Sequence, residues 1–457
     1  MPRTDSRKRA DFTEGSILAS ILKMGLPSMF GFLSQNIYSF VDTFWVSRLP
    51  EEEAAVAAVT FFSALLWLFF SFNQLVGPGS VAIISRRYGE KDYVRTEAAI
   101  KETILLKLFF GALFGAIGYL FVEEMLGFLG AQGLALSLGS AYGRIMFAGM
   151  AIPYATYSIY TALRGVANPM MAMTLMIVSN MLNMVLDPIF IFGYFGMPAL
   201  GVPGAAVASI ASFTLTLIAG LVIFYGNFAH VRLTISGFAL VSIPSMWKMV
   251  KIGIPAWLGS LSYTGARLII TPLIAAFGTS VVAAYGVGNQ ITSFGVMILV
   301  GMGLGLSALI GHNLGGGKTD RARSTANHAV VLGVLAMIVM GAATFLFARP
   351  IMRLFFAGEE TVAIGVTMLR IFALGLPFLG AYFIIEGIHT GVGLNTPSMV
   401  MSIAHAWLLE VIPIVVCTRY FGFDETAIWW TMSAAGALAS TAFYFYFRHG
   451  RWLTIQV

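Results

Sequence analysis

Twelve apolar runs, separated by short charged or Gly/Pro-rich breaks, constrain this chain more than any other feature. They begin near Ile17, Ala54, Ile104, Leu134, Met170, Val202, Val250, Val281, Ala326, Val362, Ser398 and Thr426. About 20 apolar residues cross a bilayer as a helix, and in lipid every backbone N–H and C=O has to be satisfied within the segment itself. The expectation is an all-α integral membrane protein with twelve transmembrane helices. Charged residues make up 11% of the chain and hydrophobic ones 58%, against about 25% charged in a soluble protein. Twelve spans in 457 residues leave little room for a soluble domain.

The chain repeats itself at one offset. Shifted by 228 residues, Lys23-Met24-Gly25-Leu26-Pro27 falls on Lys251-Ile252-Gly253-Ile254-Pro255. The same shift pairs Gly89 with Gly317, Asp92 with Asp320, Arg95 with Arg323, Gly165 with Gly393 and Pro169 with Pro397. Six spans per half is an even number, so both halves enter from one side and are related by an axis along the membrane normal. The expected organisation is an N-terminal tail at 1–16, an N-lobe of helices 1–6 at 17–225, a polar linker at 226–247, and a C-lobe of helices 7–12 at 248–457. Two pseudo-symmetric six-helix bundles result.

Basic residues mark one side of the membrane: Arg3, Arg7, Lys8 and Arg9, Arg86-Arg87 with Lys91, Arg164, Arg232 with Lys248 and Lys251, Lys318 with Arg321 and Arg323, and Arg448 with Arg451. The opposite loops hold Glu51-Glu52-Glu53, Glu123-Glu124, Glu359-Glu360 and Asp424-Glu425, with Arg48, Arg353 and Arg419 as exceptions. The positive-inside rule puts both termini in the cytoplasm of a multi-pass plasma-membrane protein. The basic N-terminal segment runs into an apolar stretch too long for a secretory signal, so it reads as an uncleaved anchor. The net charge of +6 is spread over short loops rather than gathered in one patch, which argues against a nucleic-acid partner. Cys417 is the only cysteine, so no intramolecular disulfide forms, and no Cys/His spacing suits zinc or haem.

Charge within a span costs about 2.5–3.5 kcal/mol on insertion scales and asks for a reason. Gln35, Tyr38 and Asp42 recur at i, i+3 and i+7, on one face of the first span. In the fifth span, Asn180, Asn183 and Asp187 stand in an apolar stretch that ends Asp187-Pro188, with Asn183 and Asp187 one turn apart. Two bland alternatives compete: Asp42 marks the outer end of its span, and Asp187 caps a helix that restarts at Pro188. If the two carboxylates share a cavity, their repulsion favours one bound proton or cation between them, exchangeable for a cationic substrate. Carboxylate, amide and hydroxyl oxygens also suit Na⁺, so Asp42, Asn183 and Asp187 form a candidate Na⁺ site as much as a proton site.

The second half lacks this pattern, since Asp42 falls on Ile270 and Asp187 on Val415. Its in-span polar residues are Arg267, Asn289-Gln290, Glu386 with His389, and His405 with Glu410. Arg267, Gln290, Glu386 and Glu410 make a possible C-lobe polar site, and an ion pair from Arg267 to Glu386 or Glu410 is its structural alternative. Pro27 removes a backbone hydrogen bond early in the first span and offers a hinge there, though its repeat partner Pro255 allows a purely structural role.

Gly25-Leu26-Pro27 followed by Val41-Asp42-Thr43, then Arg86-Arg87-Tyr88-Gly89-Glu90, Leu163-Arg164-Gly165, and Leu186-Asp187-Pro188 followed by Leu200-Gly201-Val202-Pro203-Gly204-Ala205-Ala206 together resemble the multidrug and toxic compound extrusion (MATE) family over almost the whole chain. The resemblance implies a V of two bundles. It implies a secondary antiporter, not an enzyme, with no cofactor, that exports cationic or amphipathic compounds in exchange for H⁺ or Na⁺. It is closest to the DinF-like branch, in which an N-lobe cation site would fall on Asp42, Gln35, Tyr38, Asn183 and Asp187, with Ser209 as a sixth-helix hydroxyl. The NorM-like branch has a seventh-helix Glu, where this chain has no carboxylate and carries Arg267; Glu386 lies where that branch has a tenth-helix acid.

The expected partners are small organic cations, the coupling ion and the bilayer, and a chain that holds its own repeat is expected to work as a monomer. A lipid or lipid-linked-sugar flippase of the same superfamily is the rival, and only Arg267 hints at the charged cavity it wants. A membrane-embedded enzyme is more remote, because Asp42 and Asp187 are isolated within spans rather than clustered at one membrane face.

Overall fold

The computed structural model describes residues 11–235 and 240–455, except for the side chains of 36–40 and 52. In the first half, α1 (Ile17–Val46), α2 (Glu52–Ser71), a 3₁₀ turn (Phe72–Leu75), α3 (Gly77–Gly89), α4 (Tyr93–Phe128), α5 (Gly133–Ala148), α6 (Ala151–Gly165), α7 (Pro169–Phe192) and α8 (Val202–Tyr225) follow in order. The second half has α9 (Ile243–Ala275), α10 (Thr279–Gly315), α11 (Thr319–Leu346), α12 (Ala348–Phe355), α13 (Glu359–Val392) and α14 (Thr396–Ile403). A π-helical stretch (Ala404–Val411), α15 (Ile412–Val415), a second π stretch (Val416–Tyr420) and α16 (Glu425–Arg448) complete it.

Among the described residues, nine helical runs are long and apolar enough to cross a membrane, and α5 with α6, bent by 52° at their junction, makes a tenth. The other two of the twelve expected spans are α9 and α16, of 33 and 24 residues, long enough to cross but less apolar. Leu120, Val339 and Leu268, 68%, 71% and 73% exposed, belong to the apolar outer surface that lipid would cover.

Helix ends follow local chemistry. Ser242 caps α9, its Oγ accepting from the Ser245 amide at 3.4 Å, and Pro244 occupies the first turn, where its missing N–H costs nothing. Residues 243–247 of the expected linker are therefore helical. The helix of the third span begins at Tyr93 rather than Ile104 because its charged first turns are satisfied. Lys101 Nζ lies 2.6 Å from Glu97 Oε1, and Glu97 also accepts from the Thr234 amide at 2.6 Å. Glu102 accepts from the Ser245 hydroxyl at 2.6 Å and the Ser242 amide at 3.1 Å.

Helices α1, α7 and α8 pack side by side within the first bundle, and α10, α13 and α16 within the second. The bundles meet where α1 and α3 pack on α10, and α3 and the 3₁₀ turn on α9. This seam lies at the end of the molecule that carries both termini. Its closest approaches use glycine: a Cβ on Gly305 would stand 2.1 Å from Met24 O, and one on Gly253 2.0 Å from Leu75 O, so no side chain fits without movement. Gly25 faces Met302, and Gly253 faces Gln74 as well as Leu75; the offset of 228 makes Gly25–Met302 and Gly253–Gln74 one contact made twice. Chain ends reinforce the seam. Arg321 on α11 donates to the carbonyls of Phe12, Glu14 and Gly15 at 3.3, 2.9 and 2.8 Å, and Arg86 on α3 donates to Ile455 O at 2.6 Å.

Candidate functional site

Asp42 does not end its span. Helix α1 continues to Val46, and the Asp42 side chain is 6% exposed. Asp187 is no cap either, because α7 runs unbroken through Pro188 to Phe192. Pro188 has no amide to offer the carbonyl of Met184, one turn back, which loosens the helix beside Asn183 and Asp187. Both side chains are buried, as is Ser209 on α8.

Four predicted residues converge here. The Asn183 amide donates to Asp187 Oδ1 at 3.1 Å and to Ser209 Oγ at 3.3 Å. Asp42 and Asp187 lie within range for their charges to repel. Three buried oxygens of this cluster, Asp42 Oδ1, Asn183 Oδ1 and Asp187 Oδ2, accept no hydrogen bond. Buried acceptors are nearly always satisfied in folded proteins, so a cluster of three is short of a donor or a cation. A proton on one carboxylate supplies the first, and a hard cation with oxygen ligands supplies the second.

Two other predicted members sit elsewhere. Gln35 shares the Asp42 face, but seven residues of helix separate the two by about 10 Å, and the Gln35 amide donates to the hydroxyl of Tyr157 on α6. Asn180 donates to Ser34 Oγ at 2.8 Å and ties α7 to α1. The Tyr38 side chain lies outside the described residues. Pro27 lies within α1, where the adjoining Ser28 bonds back to Met24 O at 2.8 Å.

The second bundle is neutralised from within. Arg267 Nη1 on α9 lies 2.9 Å from Glu410 Oε1 in the first π stretch, and Arg267 Nη2 donates to Tyr263 Oη at 2.9 Å. Of the two acids considered as its partner, Glu410 holds Arg267. Glu386 on α13 is half-buried, with no ion pair among the described residues, and Gln290 is exposed on α10; the four polar residues do not assemble into one site. The π stretch is where an extra residue per turn turns Glu410 toward Arg267, and Pro413 just beyond it cannot bond back within the helix.

Sequence reading missed Tyr157, the partner of Gln35, which only tertiary packing reveals. It also missed Lys107, three residues inside the third apolar run and 1% exposed. A lone lysine there is the signal that was available. His312 on α10 was missed as well; its Nε2 lies 2.7 Å from Gly165 O across the seam.

A family model described as MatE matches residues 27–189 and again 255–416. The two starts differ by 228 residues (255 − 27), the offset of the internal repeat. Among characterised relatives, the probable multidrug resistance protein YoeA of Bacillus subtilis (strain 168) is 26% identical over 435 residues, 95% of this chain and 94% of that protein. The multidrug export protein MepA of Staphylococcus aureus (strain MRSA252) is 25% identical over 434 residues, 94% and 93% of the two chains. Among solved structures, a MOP superfamily transporter from Pyrococcus furiosus superposes with a TM-score of 0.87 at 23% identity, covering 97% of this chain and 98% of that one. An outward-facing multidrug resistance MATE family transporter gives 0.87 at 22% identity over the same shares. These likenesses establish the V-shaped fold of twelve helices.

Proposed function

Because the chain belongs to the MATE family of multidrug efflux transporters, which are transporters and not enzymes, we propose that it is a secondary antiporter. It exports cationic or amphipathic organic compounds in exchange for H⁺ or Na⁺. The observation that carries this reading is the trio of buried, unpartnered oxygens on Asp42, Asn183 and Asp187, in a bundle of its own and away from the inter-lobe seam. Names given to relatives such as MepA, a multidrug export protein, support the substrate class.

In this reading the seam closes the cytoplasmic side, where the positive-inside rule puts both termini, and the V opens outward across the plasma membrane. A cation or proton at Asp42 and Asp187 favours one arrangement of α1 and α7, and substrate favours the other, so the monomer alternates between them. Ser209 and Asn183 hold the Asp187 carboxylate in place while its free oxygen meets the ion. Pro27 supplies compliance in α1 between the seam and the ion cluster; a related MATE protein has been solved in bent and straight conformations. The flippase reading loses support at Arg267, whose charge is matched by Glu410.

The test is efflux of ethidium from inverted vesicles under separately imposed proton and sodium gradients, with Asp42→Asn and Asp187→Asn alongside. Gradient-driven efflux that both variants abolish is the expected result. Efflux indifferent to both gradients, or coupling unaltered in both variants, would sink the mechanism.

A further inference from the structure

The first bundle holds two buried cations as well as two buried carboxylates, and the two pairs do not meet. Lys107 on α4 and Arg164 on α6 are 1% and 5% exposed. Each lies within charge-interaction range of the other, yet neither makes an ion pair or a side-chain hydrogen bond among the described residues. The acids of α4 are committed elsewhere: Glu97 to Lys101 and Thr234, and Glu102 to Arg87, Ser242 and Ser245.

Helix packing explains the juxtaposition. A Cβ on Gly111 would stand 2.7 Å from Ala151 Cα, so α4 and α6 touch there, and Lys107 lies one turn away on the same face of α4. Arg164 also lies in range of Tyr157 and Tyr160. The Tyr157 oxygen already accepts from Gln35, which leaves its own O–H to donate elsewhere. Two like charges out of water with no counter-charge are among the least favourable arrangements a protein interior can hold. An ion of opposite sign, met by an ammonium, a guanidinium and a phenol, removes the deficit through charge-assisted hydrogen bonds.

We infer that Lys107 and Arg164 form a binding site for a small inorganic anion of the chloride class inside the N-lobe. The sliver of surface left on each residue admits an ion of that size and not a lipid headgroup. The site is separate from the cation cluster, because the charges of Asp42 and Asp187 act on one another and not on Lys107 or Arg164. It gives the lobe an anion on one side and a cation on the other, with the Gln35–Tyr157 bond between them.

Bromide is the probe. Crystals of the full chain grown in sodium bromide are expected to show anomalous density between the Lys107 ammonium and the Arg164 guanidinium. In solution, chloride or bromide should raise Tm by about 2 °C or more over gluconate at equal ionic strength. Lys107→Arg, which keeps the charge, should retain the rise, and Lys107→Met should lose it. Crystals without that density overturn the proposal, as does a halide effect equal in wild type and Lys107→Met. Density in the crystal with no halide effect in solution marks binding at crystal concentration only, and overturns it too. None of these readouts depends on transport, so the proposal can fail without touching the antiport mechanism.

Discussion

The two bundles answer the same physical problem in opposite ways. In the C-lobe the buried carboxylate of Glu410 lies 2.9 Å from Arg267, while in the N-lobe Asp42 and Asp187 face one another with oxygens that nothing in the protein satisfies. A matched charge is inert and holds helices in place; an unmatched one responds to what the solvent supplies. Duplication of a backbone plan therefore does not duplicate its chemistry, and the repeat pairs Asp42 with Ile270 and Asp187 with Val415.

The largest effect that would break this contrast is at Arg267. Arg267→Met leaves Glu410 buried and unpaired, which should destabilise the C-lobe by about 3–5 kcal/mol, and the double replacement with Glu410→Met should recover most of it; detergent melting curves of the four proteins read this directly. Asp187→Asn is the counterpart in the N-lobe, and should leave stability unchanged or raised. It removes a charge-assisted contact of about 1.5–3 kcal/mol, so affinity for the coupling ion should fall roughly 10- to 100-fold in isothermal titration. Equal destabilisation by the two single replacements would erase the distinction between structural and functional charge.

The seam offers a finer comparison at equivalent positions. Gly305→Ala forces a methyl to within 2.1 Å of Met24 O, whereas Gly77, its equivalent 228 residues earlier, has nothing nearer than Gln74 Oε1 at 3.5 Å. The first change should cost about 1–3 kcal/mol of seam stability and the second almost none, which hydrogen exchange along α1 and α10 would resolve. The smallest effect is expected at Asp11. Partial burial pushes its carboxyl up, but the hydroxyl and amide of Thr13 and the Lys91 ammonium outweigh this and hold it below the ordinary carboxylate range. A lowered value in the folded state gives stability that is present above the unfolded pKa, near 4, and is lost as pH falls through the folded one. Exchange at residues 11–16 should therefore be flat from pH 8 to 5 after correction for intrinsic rate, and rise only below about pH 4.

Hydropathy and one offset made the twelve-helix plan legible, because lipid leaves a backbone few alternatives. Where a span opens with charge, hydropathy is blind: α4 starts at Tyr93 because Thr234, Ser242 and Ser245, more than a hundred residues away, satisfy Glu97 and Glu102. The cation cluster was legible to the level of helix face. Periodicity put Gln35 and Asp42 on one side of α1 but said nothing of depth, so the separation of Gln35 from the acids and its bond to Tyr157 had to come from packing. The choice of Glu410 over Glu386 was likewise beyond the sequence, since it depends on a π-helical turn.

The tightest contacts between the lobes set glycine against main chain, at Gly305 with Met24 O and Gly253 with Leu75 O. Neither partner in these contacts can gain or lose a proton, and neither presents a side chain that could adjust. A gate of this kind is deaf to pH and salt at its own surface. It acts as a mechanical joint, free to part as a unit when the helices above it move, so the decision to open has to be taken at a distance and delivered along α1 and α10.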